Sequence, residues 1–456
     1  MQILKTREDR VPVLLTDGPP TTSGARTFHF SPESDASWAT GEGPINTSIL
    51  RPRIEPWLTA LLQSEHLSLL VGSGLTHATY RIATEEGLPG MNRAEFRQFA
   101  DEIEIESARS ATKAGRFSGN IEDQIRVANE LLRGIEILSS SDSSLRSRAG
   151  ELREDLQRVM SDFAESILHA ERGIIGADSK ARARAFDYLV SFLMSFASRT
   201  GTRDRLHIFT TNYDRLIEAG AESAGLHLVD RFVGSLSPVF RASRLDVDMH
   251  YNPPGIRGEA RFLEGVARFS KLHGSLDWVS TENTIRKVGI PFGAGDLDPY
   301  LGVGLVGDAT NLMIYPNAAK DRETAAYPYV ELFRDFAAAV CRPNSVLVCF
   351  GYSFGDEHLN RVIEDMLTIP STHVVVISFS DPLGRIMRMY ESLGRHAQTT
   401  LLIGDHLGDF QTLVDEYLPK PAIDRTSMRM AELLRARWGT GGSSASSNPV
   451  TEGIVS

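Results

Sequence analysis

Cysteine is almost missing from this chain: Cys341 and Cys349 are the only two in 456 residues. Two thiols cannot build a disulfide framework, and they cannot supply a four-cysteine zinc site. Long apolar runs are missing as well. No stretch approaches the ~20 residues that span a bilayer, and the first ten residues carry no apolar core of signal-peptide length. Positive charge is in deficit: 48 Lys and Arg face 59 Asp and Glu, for a net charge of −11. Binding of nucleic acid across a basic surface is therefore not expected. The chain has no GxxxxGK[ST] phosphate loop and no internal repeat, and the turn at Gly72-Ser73-Gly74 is not a full GxGxxG. These absences predict a soluble, reducing, cytoplasmic setting without membrane association.

Hydrophobic residues make up 41% of the chain, enough for one large domain with insertions or for two domains. Short apolar runs read as buried strands at about 66–71, 206–209, 226–229, 268–272, 311–316, 345–350, 373–378 and 399–403. The run Ser345 to Phe350 has the composition of a strand buried on both faces. Helical patterns alternate with these runs, at about 53–65, 215–223, 329–340 and 357–367. Strands and helices in alternation predict an α/β fold, Rossmann-like, with a mostly parallel sheet.

Residues 92–200 read as almost wholly helical. Asn92 is placed to cap a helix holding Phe96, Phe99 and Ile103. This block reads as a helical insertion beside the sheet, a lid or an oligomer surface. The predicted organisation is an N-terminal arm over 1–50, partly extended and ordered on another subunit; an α/β domain over 51–91 and 201–420; the helical insertion over 92–200; and a C-terminal helix with a disordered tail over 421–456. The glycine-rich stretch 280–308 is expected to form mobile loops near the site.

Four turns follow apolar strands, where sites in parallel sheets gather. Gly72-Ser73-Gly74 joins a strand to a helix N-terminus, where backbone N–H groups can meet a pyrophosphate; alone it also reads as a tight turn. Thr210-Thr211-Asn212-Tyr213-Asp214 follows the second strand. His273-Gly274 places an imidazole at a strand-to-loop exit. Gly351-Tyr352-Ser353-Phe354-Gly355-Asp356-Glu357-His358 follows the strand at 345–350.

Taken together and in this order, the four turns resemble the sirtuin family, specifically its bacterial NAD-hydrolysing branch of antiphage defence. Gly72-Ser73-Gly74 resembles the glycine-rich first turn, and Thr211-Asn212-Tyr213-Asp214 the Thr-x-Asn-x-Asp signature. His273-Gly274 resembles the His-Gly pair, and Gly351-Tyr352-Ser353 the Gly-x-Ser turn. Two features depart from the protein-deacylating members: no Pro-Asp-Phe-Arg run follows Leu75, and two cysteines cannot supply their four-cysteine zinc ribbon.

The resemblance implies NAD⁺ as substrate, water as acceptor and no metal. Asn212 and His273 would be catalytic. Asn212 would hold a ribose hydroxyl or orient a water, and His273 would act as base toward a ribose hydroxyl or that water. Gly72, Ser73 and Gly74 would approach the phosphates, with Thr211 in the same cofactor-binding group. Asp214 would hold the carboxamide or stabilise positive charge, or else cap the helix at Arg215. Gly351 and Ser353 would bind the phosphate or adenosine-ribose side. His358 reads as support or capping, and Asp381 as a candidate adenine contact.

The implied function is an NAD⁺ glycohydrolase that depletes NAD⁺ in abortive infection. The implied partners are further copies of the chain and a HerA-like hexameric ATPase in trans. The alternatives are an NAD-dependent protein deacylase and a non-catalytic sensor of NAD or ADP-ribose.

Overall fold

The computed structural model describes residues 1–420 except 8, 21–23, 25, 33, 35, 37, 39–42, 91–92, 114–115, 117–118, 140–141, 200–202, 252–260, 281–283, 302–311 and 315–326. Asn92 and the helix and tail expected over 421–456 lie outside the described residues.

The chain begins with β1 (Gln2–Lys5), β2 (Val13–Asp17), β3 (Phe28–Phe30), α1 (Thr47–Leu62), β4 (His66–Val71) and α2 (Gly74–Thr84). Four helices follow: α3 (Ala100–Lys113), α4 (Ile121–Leu138), α5 (Ser143–Gly176) and α6 (Ser179–Ala197). Next come β5 (His207–Thr210), α7 (Leu216–Ser223), β6 (His227–Val229), β7 (Phe232–Val233), β8 (Val239–Phe240), β9 (His250–Tyr251) and β10 (Arg261–Phe262). Then β11 (Val266–Lys271), β12 (Gly274–Ser280), β13 (Ile285–Lys287), α8 (Asp298–Leu301) and β14 (Leu312–Ile314) lead to α9 (Tyr329–Val340). Then come β15 (Ser345–Phe350), α10 (Glu357–Met366), β16 (His373–Ser378), α11 (Arg385–Leu393) and β17 (Thr399–Ile403), followed by short helical turns over Phe410–Thr412 and Leu413–Tyr417.

The main sheet has the order β3-β2-β1-β17-β16-β15-β4-β5-β11-β6. From β17 to β6 every pairing is parallel. The fold is therefore mixed α/β with a large, parallel-dominated sheet of Rossmann type. β15 and β16 are buried at every position, as strands covered on both faces must be. Side chains alternate between two cores: Leu69, Val71, Val348 and Phe350 face one, and Leu70, Leu347 and Cys349 face the other. α1, α6 and α7 cover the first face, and α9, α10 and α11 the second.

The N-terminal arm is extended, and it pairs within its own chain. β1 lies antiparallel to β17, and β2 and β3 continue the sheet outward. Leu4, Val13, Leu15 and Phe28 are fully buried, and the buried Lys5 ammonium donates to the Thr399 carbonyl at 3.1 Å. This alternation is too short to stand out in a segment rich in Pro, Ser and Gly.

Within the helical stretch, α3, α4 and most of α5 share a core of their own with Tyr213, Leu276 and Val279. The last helix, α6, packs on the sheet: Leu189, Phe192 and Leu193 are fully buried, and Phe192 meets Phe350 at 4.9 Å between ring centroids. The described part of 280–308 also differs from expectation. Ile290, Ala294 and Leu297 are buried in the core around α5, and none of these loop residues lines the large cavity.

Candidate active site

β15, β4, β5 and β11 are neighbours in the sheet, so their carboxyl ends bring the four turns together. The turns are bonded to one another. The amide of Gly72 donates to the Phe350 carbonyl (3.0 Å), and that of Gly74 to the Gly351 carbonyl (3.1 Å). Thr211 N and Thr210 Oγ1 both donate to the Val71 carbonyl, at 3.2 and 3.0 Å. Leu272 N donates to the Thr210 carbonyl at 2.8 Å.

Close backbone approach explains the glycines. A Cβ on Gly72 would lie 2.4 Å from the Gly351 carbonyl oxygen, and one on Gly74 would lie 2.5 Å from Gly351 Cα. Gly351 also has φ +60°, the left-handed region that glycine enters without strain.

A cavity of about 770 Å³ opens over these strand ends. Gly72, Ser73, Thr211, Asn212, Asp214, His273, Gly351 and Ser353 all line it. Gly74, expected at the phosphates, does not: it lies beneath Gly351, and its N–H is taken by that carbonyl. With the Gly72 N–H also taken, this turn is not the open row of amides that its sequence predicts. Asp381, the candidate adenine contact, is away from the cavity too. Its carboxylate accepts from Ile386 N (3.3 Å) and Met387 N (3.0 Å), holding the first turn of α11. His358 lines the cavity one residue into α10.

Asn212 is buried, and both hydrogens of its amide are used. Nδ2 donates to the Gly72 carbonyl and to Thr76 Oγ1, each at 3.0 Å. Thr76 in turn donates to Asp214 Oδ2 at 2.7 Å. The other Asp214 oxygen accepts from Leu216 N at 3.0 Å, so Asp214 both supports Asn212 through Thr76 and caps α7. The Asn212 Oδ1 atom is left as the acceptor for a ligand or water.

His273 sits between β11 and β12, at a strand-to-strand corner rather than at a loop exit. Its Nε2 lies 2.9 Å from Asp356 Oδ2. The other Asp356 oxygen accepts from His358 N (2.9 Å) and Leu359 N (3.4 Å), the N-terminal cap of α10. A carboxylate at Nε2 selects the tautomer with its proton there and leaves Nδ1 as the basic nitrogen.

The helical stretch closes the cavity from the other side and contributes a residue that sequence reasoning missed. α4 starts with a reciprocal cap: Asn120 Oδ1 accepts from Asp123 N, and Asp123 Oδ2 accepts from Asn120 N, both at 3.0 Å. This cap sets Glu122 on the cavity wall, where its carboxylate accepts from the Tyr213 hydroxyl at 3.2 Å. Burial pushes the Glu122 carboxyl above its ordinary value; nearby His273 and the Tyr213 hydroxyl pull it part of the way back. Tyr213 itself is buried, 5.7 Å from Phe163 and 6.4 Å from His273 between ring centroids. His77, on α2, also faces the cavity, and burial holds it below the usual imidazole value. An acid in the first turn of a helix is ordinary, so nothing in the sequence singles out Glu122.

Among the described residues, no group of three or more His, Cys, Asp or Glu is arranged to hold a metal ion. No described helix is long and apolar enough to cross a membrane.

Residues 206–396 match the family model described as a SIR2-like domain. The match supports a sirtuin-like fold, and it points to NAD-related activity and use of NAD⁺. It spans Asn212, His273, Gly351 and Ser353, and leaves Gly72 to Gly74 and the helical stretch outside. No curated protein matches the chain.

Proposed function

We propose that the chain is an NAD⁺ glycohydrolase, releasing nicotinamide and ADP-ribose. The observation that carries this reading is the meeting of Asn212, His273 and two glycine turns on one cavity, within a SIR2-like sheet. The cavity volume lies within the range that small-molecule and cofactor pockets occupy.

NAD⁺ carries its own leaving group, the cationic nicotinamide. Breaking its bond to ribose develops positive charge on the sugar, so placement and electrostatics supply most of the catalysis. Asn212 Oδ1 accepts a hydrogen bond from the incoming water or a ribose hydroxyl. His273 Nδ1 receives the proton that water loses, and Asp356 stabilises the imidazolium that forms. Water adds its hydroxyl to the anomeric carbon, nicotinamide departs with the bonding pair, and one proton is released.

The test is incubation of the purified chain with NAD⁺, with nicotinamide and ADP-ribose quantified, beside Asn212→Ala and His273→Ala. Product from the parent and none from either folded variant is the expected result. Turnover only with an acyl-lysine peptide would make the chain a deacylase. Tight binding without turnover, in the presence of the HerA-like ATPase as well as alone, would make it a sensor.

The resemblance to the antiphage branch extends the proposal to an effector that assembles with copies of itself and is triggered by a HerA-like ATPase in trans. Co-elution of the chain with such an ATPase, and NAD⁺ loss that rises in its presence, tests that extension. Two species that never co-elute would remove the ATPase from it.

A further inference from the structure

Four arginines line the cavity, and three are neutralised. Arg93 pairs with Glu104 at 2.6 Å, Arg116 with Asp123 at 2.7 Å, and Arg158 with Asp155 (2.7 Å) and Asp162 (3.3 Å). Arg385, the first residue of α11, has no carboxylate partner among the described residues. Its Nε is buried without a hydrogen bond.

The turn after β15 is shaped around this side chain. A Cβ on Gly355 would lie 2.8 Å from Arg385 Nη1 and 3.5 Å from Ser353 Oγ, so glycine there leaves room for the guanidinium beside Ser353. Burial, with Arg116 near enough to add like charge, holds the Arg385 guanidinium below its ordinary value, and Tyr352 and the more distant Asp381 pull it part of the way back. A buried donor beside a second cation is costly to leave unmatched. The amides that a glycine turn would offer an anion, those of Gly72 and Gly74, are already bonded to carbonyls.

We propose that Arg385 is the phosphate-binding residue of this cavity, taking the diphosphate of a dinucleotide on the Ser353 and Gly355 side. The ligand then supplies a counter-charge at ion-pair distance, which Asp381 does not. A guanidinium against phosphate oxygens makes two parallel charge-assisted hydrogen bonds, which fixes orientation as well as affinity. The identity of the dinucleotide rests on the glycohydrolase reading; the anion site does not.

Calorimetry on the full chain tests it, with ADP-ribose, adenosine and inorganic pyrophosphate as probes, for the parent, Arg385→Ala and Arg385→Gln. The expected result is a loss of about tenfold or more in ADP-ribose affinity in both variants, adenosine affinity unchanged, and a shallower salt dependence of ADP-ribose binding. Melting temperatures should stay level or rise, because the substitutions remove a buried donor that has no partner. Equal ADP-ribose affinity in parent and variants would overturn the proposal, and so would equal weakening of ADP-ribose and adenosine. The two readings fail separately. Binding of ADP-ribose that depends on Arg385, without any turnover of NAD⁺ either alone or with the ATPase, removes the glycohydrolase and keeps the anion site. Turnover with the same KM in Arg385→Ala removes the anion site and keeps the glycohydrolase.

Discussion

Asp356 does two jobs with its two oxygens: Oδ2 meets His273 Nε2 at 2.9 Å, and Oδ1 caps α10. Two substitutions separate them. Asp356→Asn keeps a capping oxygen but turns an amide N–H toward His273. The imidazole must then carry its proton on Nδ1, which is no longer a base. Stability should hold while nicotinamide release falls by about 10²-fold or more. Asp356→Ala should add a stability loss of about 1 kcal/mol from the missing cap. Unchanged turnover in Asp356→Asn, measured beside thermal melting, would remove Asp356 from the mechanism.

The helical stretch is fixed to the turns that line the cavity by a buried ion pair. Glu171 of α5 accepts from Arg215 Nε (3.1 Å), Nη2 (2.5 Å) and the Arg215 amide (2.9 Å). Arg215 also donates to the Ile290 and Pro291 carbonyls. Glu171→Ala strands a buried guanidinium and should cost about 3–5 kcal/mol in denaturant unfolding. Glu171→Gln keeps one acceptor and should cost less. Equal stability of parent and Glu171→Ala would show that the pair does not hold the block.

The sheet and most of the site are legible in the sequence because both depend on local pattern. Buried strands such as Ser345 to Phe350 announce themselves by composition, and the turns that follow them carry Asn212, His273 and Ser353. What stays hidden is tertiary. Arg385 starts an ordinary amphipathic helix, and only its lack of a partner in space makes it unusual. Glu122 looks like any acid in a first helical turn until Tyr213 is seen beside it. Gly74 misleads in the opposite direction: a glycine beside a phosphate and one beneath another backbone look the same in sequence, and here the space is needed for Gly351.

That distinction makes the glycines unequal under substitution. Ala at position 72 meets the Gly351 carbonyl, and Ala at position 351 is strained at φ +60° besides meeting Gly74. Backbone cannot step aside, so Gly72→Ala and Gly351→Ala should lower both melting temperature and NAD⁺ binding. Gly355→Ala meets only the end of the Arg385 side chain, which can swing away. It should melt like the parent yet lose ADP-ribose affinity as Arg385→Ala does. A Gly355→Ala protein with parental ADP-ribose affinity would show that the guanidinium does not need that space.

Glu122 should leave a signature in the pH dependence of stability. Its carboxyl is held above the ordinary value in the folded chain, chiefly by burial. Below the ordinary carboxyl range it is protonated whether the chain is folded or not, and it imposes no cost. As pH rises, the unfolded chain releases the proton first while the folded chain retains it. Stability is therefore lost between the ordinary value and the raised one, and the deficit persists above both. Glu122→Gln keeps the shape and an acceptor for the Tyr213 hydroxyl but does not titrate. Its melting temperature relative to the parent should rise as pH climbs above the ordinary glutamate value, and level off once the folded carboxyl has ionised. Tyr213→Phe removes a hydrogen bond to the ionised form, so it should widen that difference rather than narrow it. A parent and a Glu122→Gln variant whose melting curves shift in parallel over the whole range would mean that the carboxyl titrates normally, and that its burial carries no electrostatic cost.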